Sequence, residues 1–151
     1  MNILSATQND LEQILKLQYL AYQSEAKLHN NNKIQPLVQT LEELEKEYQD
    51  GILLKGIDEN GKIIGSVRGY TEGDTLYIGK LMVDPEEQGK GYGKQLLSAI
   101  EAECSGNRYE LFTSSKSIRN LGLYESQGYV RFKENKITPE LTIIYLEKNS
   151  K

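Results

Sequence analysis

The chain has 151 residues, a formal net charge of -4 and 26% charged residues, long enough to bury one continuous core without covalent staples. Its acidic balance argues against nucleic acid as the main partner, because binding a phosphate backbone needs a basic stripe. One cysteine, Cys104, and one histidine, His29 in the polar run HNNNK, leave no internal disulfide, no His-based metal centre and no Ser-His-Asp triad, so no metal is expected.

The opening MNILSATQND lacks the basic and then apolar pattern of a secretory leader. No later stretch approaches the roughly 18 apolar residues of a membrane span. A cytoplasmic protein with no membrane partner is the expectation. Asn2 to Ala6 reads as a first strand. Leu11, Ile14, Leu15 and Gln18 to Tyr22 then recur at helical spacing, with Asn9 or Asp10 as the cap, and the polar segment from His29 to Pro36 ends that helix. Thr40 followed by Glu43 is a capping-box pattern for a second helix through about Tyr48.

Beyond it the period changes to two. GILLKGID, a turn at ENG and KIIGSVRGY form a hairpin, and a turn at EGD leads into TLYIGKLMV as a third strand of the same meander. A helix from about Lys90 to Cys104 follows, placing Cys104 in register with Leu96, Leu97 and Ile100 as a buried core thiol. YELFTS is a strand, and a helix runs from Ser117 to about Gln127 with Gly128 after its last turn. YVRFKEN and LTIIYLEK are the final strands. The order β-α-α-β-β-β-α-β-α-β-β, without linker or repeat, predicts a single α/β domain over residues 1–151, a mixed central sheet with helices on both faces.

The segment VDPEEQGKGYGKQLL lies between a strand and a helix. Glycines there leave amides pointing outward at the positive end of a helix dipole, and Lys90 and Lys94 add charge, so the turn suits a phosphate or pyrophosphate. GYGKQ lacks the hydroxyl that follows the lysine in a nucleotide-triphosphate loop. A dinucleotide fingerprint follows the first strand of a βαβ unit, whereas this turn follows the fourth strand.

Gln88-Gly89-Lys90-Gly91-Tyr92-Gly93 resembles the Q/R-x-x-G-x-G/A acyl-CoA signature of the GNAT superfamily, the GCN5-related N-acetyltransferases. LMVDP upstream and LGLYESQGY downstream are similar to flanking features of that family, on the matching elements. The resemblance implies that the fourth and fifth strands splay to hold a pantetheine arm. The backbone of Leu81, Met82 and Val83 would pair with its amides, and amides from Gly89 to Lys94, together with Gln88, would hold the pyrophosphate. It also implies acetyl-CoA as co-substrate and Tyr124 as the acid that protonates the departing thiolate, with a backbone N–H near Val83 facing the oxyanion.

The chain departs from the family pattern at two places. Ser117 stands where asparagine is frequent seven residues before the tyrosine, and Asn120 stands where a small residue is usual; both are candidate cofactor contacts, and both also suit an ordinary helix start. At the position of the strand-four glutamate that serves some members as base, this chain has Tyr77, whose phenol at an ordinary pKa near 10 is a poor base. Glu25 and Glu72 are the alternatives. Tyr22, Glu25, Arg68, Tyr70, Glu72, Tyr77 and Lys80 are the candidate acceptor pocket, and Arg68 with Lys80 would suit an acceptor carboxylate.

The expected function is therefore direct acetyl transfer to a primary amine, of a small molecule or amino-acid derivative. The rivals are a non-catalytic coenzyme A-binding or sensor module and a protein N-acetyltransferase. The resemblance also admits a homodimer, which no residue here fixes.

Overall fold

Turn chemistry shapes the central meander. In the computed structural model, which describes residues 1–104 and 106–150, β2 (Ile52–Ile57), β3 (Ile63–Glu72) and β4 (Thr75–Val83) pair antiparallel in succession. Asp58 closes the first turn, its Oδ1 accepting from the amides of Asn60 and Lys62 at 2.9 Å each. β1 (Asn2–Ser5) adds to β2, and β5 (Arg108–Ser114) runs parallel to β4 after the crossover helix α5 (Tyr92–Ala102). After α6 (Ile118–Ser126), β6 (Val130–Thr138) and β7 (Leu141–Asn149) complete a seven-stranded sheet of order β1-β2-β3-β4-β5-β7-β6. A mixed sheet with flanking helices is what the element order predicted.

Alternating side chains feed two cores. On one face Leu54, Val67, Leu76, Ile78 and Leu111 pack with Leu96, Leu97 and Ile100 of α5 and Leu121 and Tyr124 of α6. On the other, Leu53, Ile63 and Met82 pack with Leu11, Ile14 and Leu15 of α1 (Leu11–Ala21) and Leu44 of α4 (Leu41–Asp50). α4 begins as predicted, with the Glu43 amide donating to Thr40 Oγ1 at 3.1 Å and the Thr40 amide donating to Glu43 Oε1 at 2.9 Å.

Three local readings change. Asp10 does not cap α1 through its side chain; its Oδ2 accepts from the Thr7 amide at 2.8 Å and pairs with Lys55 Nζ at 2.8 Å, so the helix entry starts one 3-10 turn earlier. The segment after Tyr22 holds two further short helices, α2 (Gln23–Leu28) and α3 (Gln35–Val38), the latter with Pro36 in its first turn, where a missing N–H costs nothing. Neither is long enough to show a helical period. α5 ends at Ala102, so Cys104 lies beyond the helix and is half-buried at the edge of the core.

The sheet is not evenly joined. β4 and β5 pair only at Thr75–Tyr77 with Arg108–Glu110, at one end of each strand. Further along β4 the register against β3 slips between Ser66 and Arg68, and Lys80 on the β4 side adopts φ +49. A bulge twists its strand away from the neighbour. The two central strands therefore part beyond Tyr77.

Candidate active site

The glycine turn sits directly past the parted end of β4. Gly89 and Gly91 have φ of +82 and +81, a left-handed conformation that side-chain-bearing residues rarely adopt, and an added Cβ at either would meet only open space. Gly91 is the N-cap of α5 and offers no side chain to its first amides. Those amides face outward without an intrahelical partner. This donor set fits a pyrophosphate. Gly93 differs: its backbone is helical, and a Cβ there would come within 3.3 Å of Leu123 Cδ2, so it lets α5 approach α6.

The charges around the turn include one that the sequence alone did not offer. Lys90 Nζ pairs with Glu87 Oε2 at 3.1 Å, turning back along the loop, while Lys94 is exposed. Arg119, on the first turn of α6, donates from Nη1 to Gln88 Oε1 and brings an exposed guanidinium to the cradle. Sequence reasoning missed Arg119; its place one residue before Asn120 was the only signal. Leu81, Met82 and Val83 form the end of β4, with the Met82 side chain in the α1-side core and Leu81 and Val83 against the α5-side core.

A second group of residues meets across the sheet. Glu25 belongs to α2, yet its Oε1 accepts from Ser117 Oγ at 2.6 Å and from Asn120 Nδ2 at 3.5 Å, at the start of α6. Asn120 Nδ2 also donates to Thr113 Oγ1 at 3.3 Å. Both contacts to Glu25 use one oxygen, and Oε2 accepts no hydrogen bond among the described residues. Ser117 and Asn120, candidates for the cofactor, are thus engaged with Glu25, a candidate for the acceptor pocket.

Tyr124 is buried on α6, its ring 6.2 Å from that of Tyr129. Burial, with the charges of Tyr22 and Glu25 nearby, raises its phenol well above the ordinary value, so it holds its proton at neutral pH. Tyr22 is pushed up to about 12, mainly by burial, and senses both Arg68 and Glu25. Tyr22, Glu25 and Tyr124 therefore share one neighbourhood.

The remaining acceptor candidates lie along the α1-side face of β3 and β4. Tyr70 and Tyr77 stack with centroids 5.1 Å apart, Tyr70 and Glu72 being exposed toward the strand ends. Arg68 is 5% exposed and belongs to a buried network: Nη2 donates to Gln18 Oε1 at 2.7 Å and Gln39 Oε1 at 2.9 Å, and Nε lies 2.9 Å from Glu47 Oε1. Gln18 Nε2 in turn donates to the Pro36 carbonyl at 2.8 Å. Sequence reasoning missed this network, because its members are far apart in the chain.

A family model described as the acetyltransferase (GNAT) family matches residues 10–129. No curated protein shows significant sequence similarity to the chain. Among solved structures, the ribosomal-protein-S18-alanine N-acetyltransferase of Escherichia coli superposes with a TM-score of 0.81 at 16% identity, covering 98% of this chain and 92% of that one. A GNAT-family acetyltransferase of Staphylococcus aureus Mu50 gives 0.78 at 23% identity over 99% of both. The PaiA N-acetyltransferase of Thermoplasma acidophilum, in complex with coenzyme A, gives 0.77 at 16% identity over 98% of both. No helix among the described residues is long and apolar enough to cross a membrane.

Proposed function

This chain belongs to the GNAT acetyltransferase family, and on that premise we propose that it moves the acetyl group of acetyl-CoA directly onto the primary amine of a small molecule. The parting of β4 from β5 beyond Tyr77, next to an uncapped glycine turn, carries the reading. A gap between two central strands leaves backbone groups of β4 unpaired, and unpaired backbone groups call for a partner. Leu81 to Val83 would supply that edge to the pantetheine amides, and the turn from Gln88 to Lys94 would take the pyrophosphate, with Arg119 adding charge.

The neutral amine nitrogen attacks the thioester carbon, an N–C bond forms and the C–S bond breaks. Tyr124, protonated and facing the same neighbourhood as Tyr22 and Glu25, gives its proton to the departing sulfur. Glu25, with Oε1 held by Ser117 and Asn120, offers Oε2 to the incoming amine and its surplus proton. On this reading the proton acceptor is on α2; Tyr77 stacks with Tyr70 and carries no carboxylate.

Gly91→Val tests the cradle. A β-branched residue at φ +81 is strained, and its side chain would stand where the phosphates approach. Acetyl-CoA affinity, measured by calorimetric titration of the folded variant, should fall at least about 100-fold. Unchanged affinity would overturn the assignment.

A further inference from the structure

We propose that the acceptor carries a carboxylate as well as its amine, as an amino acid does, and that Lys80 reads it. The proposal rests on the transfer reaction above and adds the chemical class of the acceptor.

Strand alternation gives Lys80 its direction. Leu76 and Ile78 point into the α5-side core, so Tyr77 and Gly79 point to the α1 side, and strict alternation would send Lys80 back toward α5. The slip in register at Lys80 breaks the alternation: Leu81 and Val83 lie against the α5-side core and Met82 in the α1-side core. The charged neighbours that act on Lys80, Arg68 and Glu47, belong to the α1 face, so its ammonium lies there, one residue beyond Gly79, the cross-strand partner of Arg68. A lysine at φ +49 is a strained choice in a strand, and such strain tends to sit at functional sites.

The surroundings favour an anion. Arg68 brings a permanent guanidinium to the same face; Glu47 is the carboxylate at its Nε, while its buried Nη1 has no hydrogen-bond partner. Lys80 makes no ion pair or hydrogen bond among the described residues. Burial, then the repulsion of Arg68, lowers its ammonium from the ordinary value to about 8, with Glu47 opposing. An incoming carboxylate would relieve that repulsion. Opposite Arg68, a Cβ on Gly79 would meet no atom within 4 Å, so open space lies beside the two cations. Glu25 marks the amine end and Lys80 the carboxylate end, and the backbone proposed for pantetheine starts at Leu81, next in the chain.

The test compares matched acceptors, each amino acid against the amine left by its decarboxylation: phenylalanine with phenethylamine, and lysine with cadaverine. Release of coenzyme A thiol is followed for the parent, Lys80→Met and Lys80→Arg. The parent should favour the amino acid of each pair by at least about 10-fold in kcat/KM. Lys80→Met should raise KM for the amino acids by about 10–100-fold, spare the amines and leave acetyl-CoA affinity unchanged, and Lys80→Arg should restore part of the loss. Equal use of both members of each pair, or a Lys80→Met effect on amines as large as on amino acids, would overturn the carboxylate subsite while acetyl-CoA binding and transfer stand. Failure of the parent to bind acetyl-CoA would instead overturn the transfer reaction beneath it.

Discussion

The two faces of the sheet divide recognition between backbone and side chain. On the α5 face the core is almost wholly apolar, and the groups proposed for the cofactor are the amides of one short turn and the edge of β4. On the α1 face a buried guanidinium, two buried glutamines and a carboxylate hold four separate segments together. Backbone recognition is encoded in a few consecutive residues and needs only glycine where φ is positive. The side-chain network needs residues brought together from α1, the end of α3, β3 and α4.

Breaking the α1-face network should produce the largest effect on stability. Arg68→Met leaves Gln18 Oε1 without its donor, while Gln39 Oε1 keeps Gln18 Nε2 and the partly exposed Glu47 keeps Gln39 Nε2. Leaving one buried acceptor unsatisfied commonly costs about 1–3 kcal/mol. Chemical denaturation should show a loss of that size, and a change below about 1 kcal/mol would mean the network is replaceable by apolar packing.

Tyr124→Phe addresses the proposed proton donor. The ring remains packed against Tyr129, so the fold should be nearly unchanged. Loss of the proton donor should lower kcat by about 10–100-fold, the low end for general-acid catalysis, because a thiolate departs readily. Acetyl-CoA binding should be retained. Equal kcat values would reduce Tyr124 to a packing residue, and a raised dissociation constant with unchanged kcat would make it a cofactor contact.

The smallest effect sharpens the comparison through pH. Lys80 titrates near 8 in the folded chain and near 10.5 when exposed. Between those values the unfolded chain binds more protons than the folded one, so stability rises as pH increases through this window. The charge thus costs stability at neutral pH, by about 1–2 kcal/mol once its partial contact with solvent is discounted. Lys80→Met should be more stable than the parent at pH 7 by that amount and lack its rise between pH 8 and 10.5. A parallel pH dependence in both proteins would place the titration elsewhere.

Much of the fold was legible because its signals are local. Thr40 and Glu43 cap α4 with each other, and Gly128 stands at φ +94 after α6, both as neighbouring residues in the chain foretold. The glycine turn, the strands of the meander and Tyr124 on its helix were readable for the same reason. Cys104 was misread because helical register continues on paper past the point where α5 stops.

Tertiary structure alone brought the acceptor-pocket candidates to their neighbours. Glu25 meets Ser117 and Asn120 over separations of 92 and 95 residues, and no local period carries that information. Arg68 and Lys80 looked alike as basic residues of a meander. Burial under α1 and α4 made the first a structural hub, and a slip of register turned the second to the same face without a partner. What separated them was the cover of packed helices over one and the slip of β4 against β3 at the other, properties of how the elements come together and of no single segment.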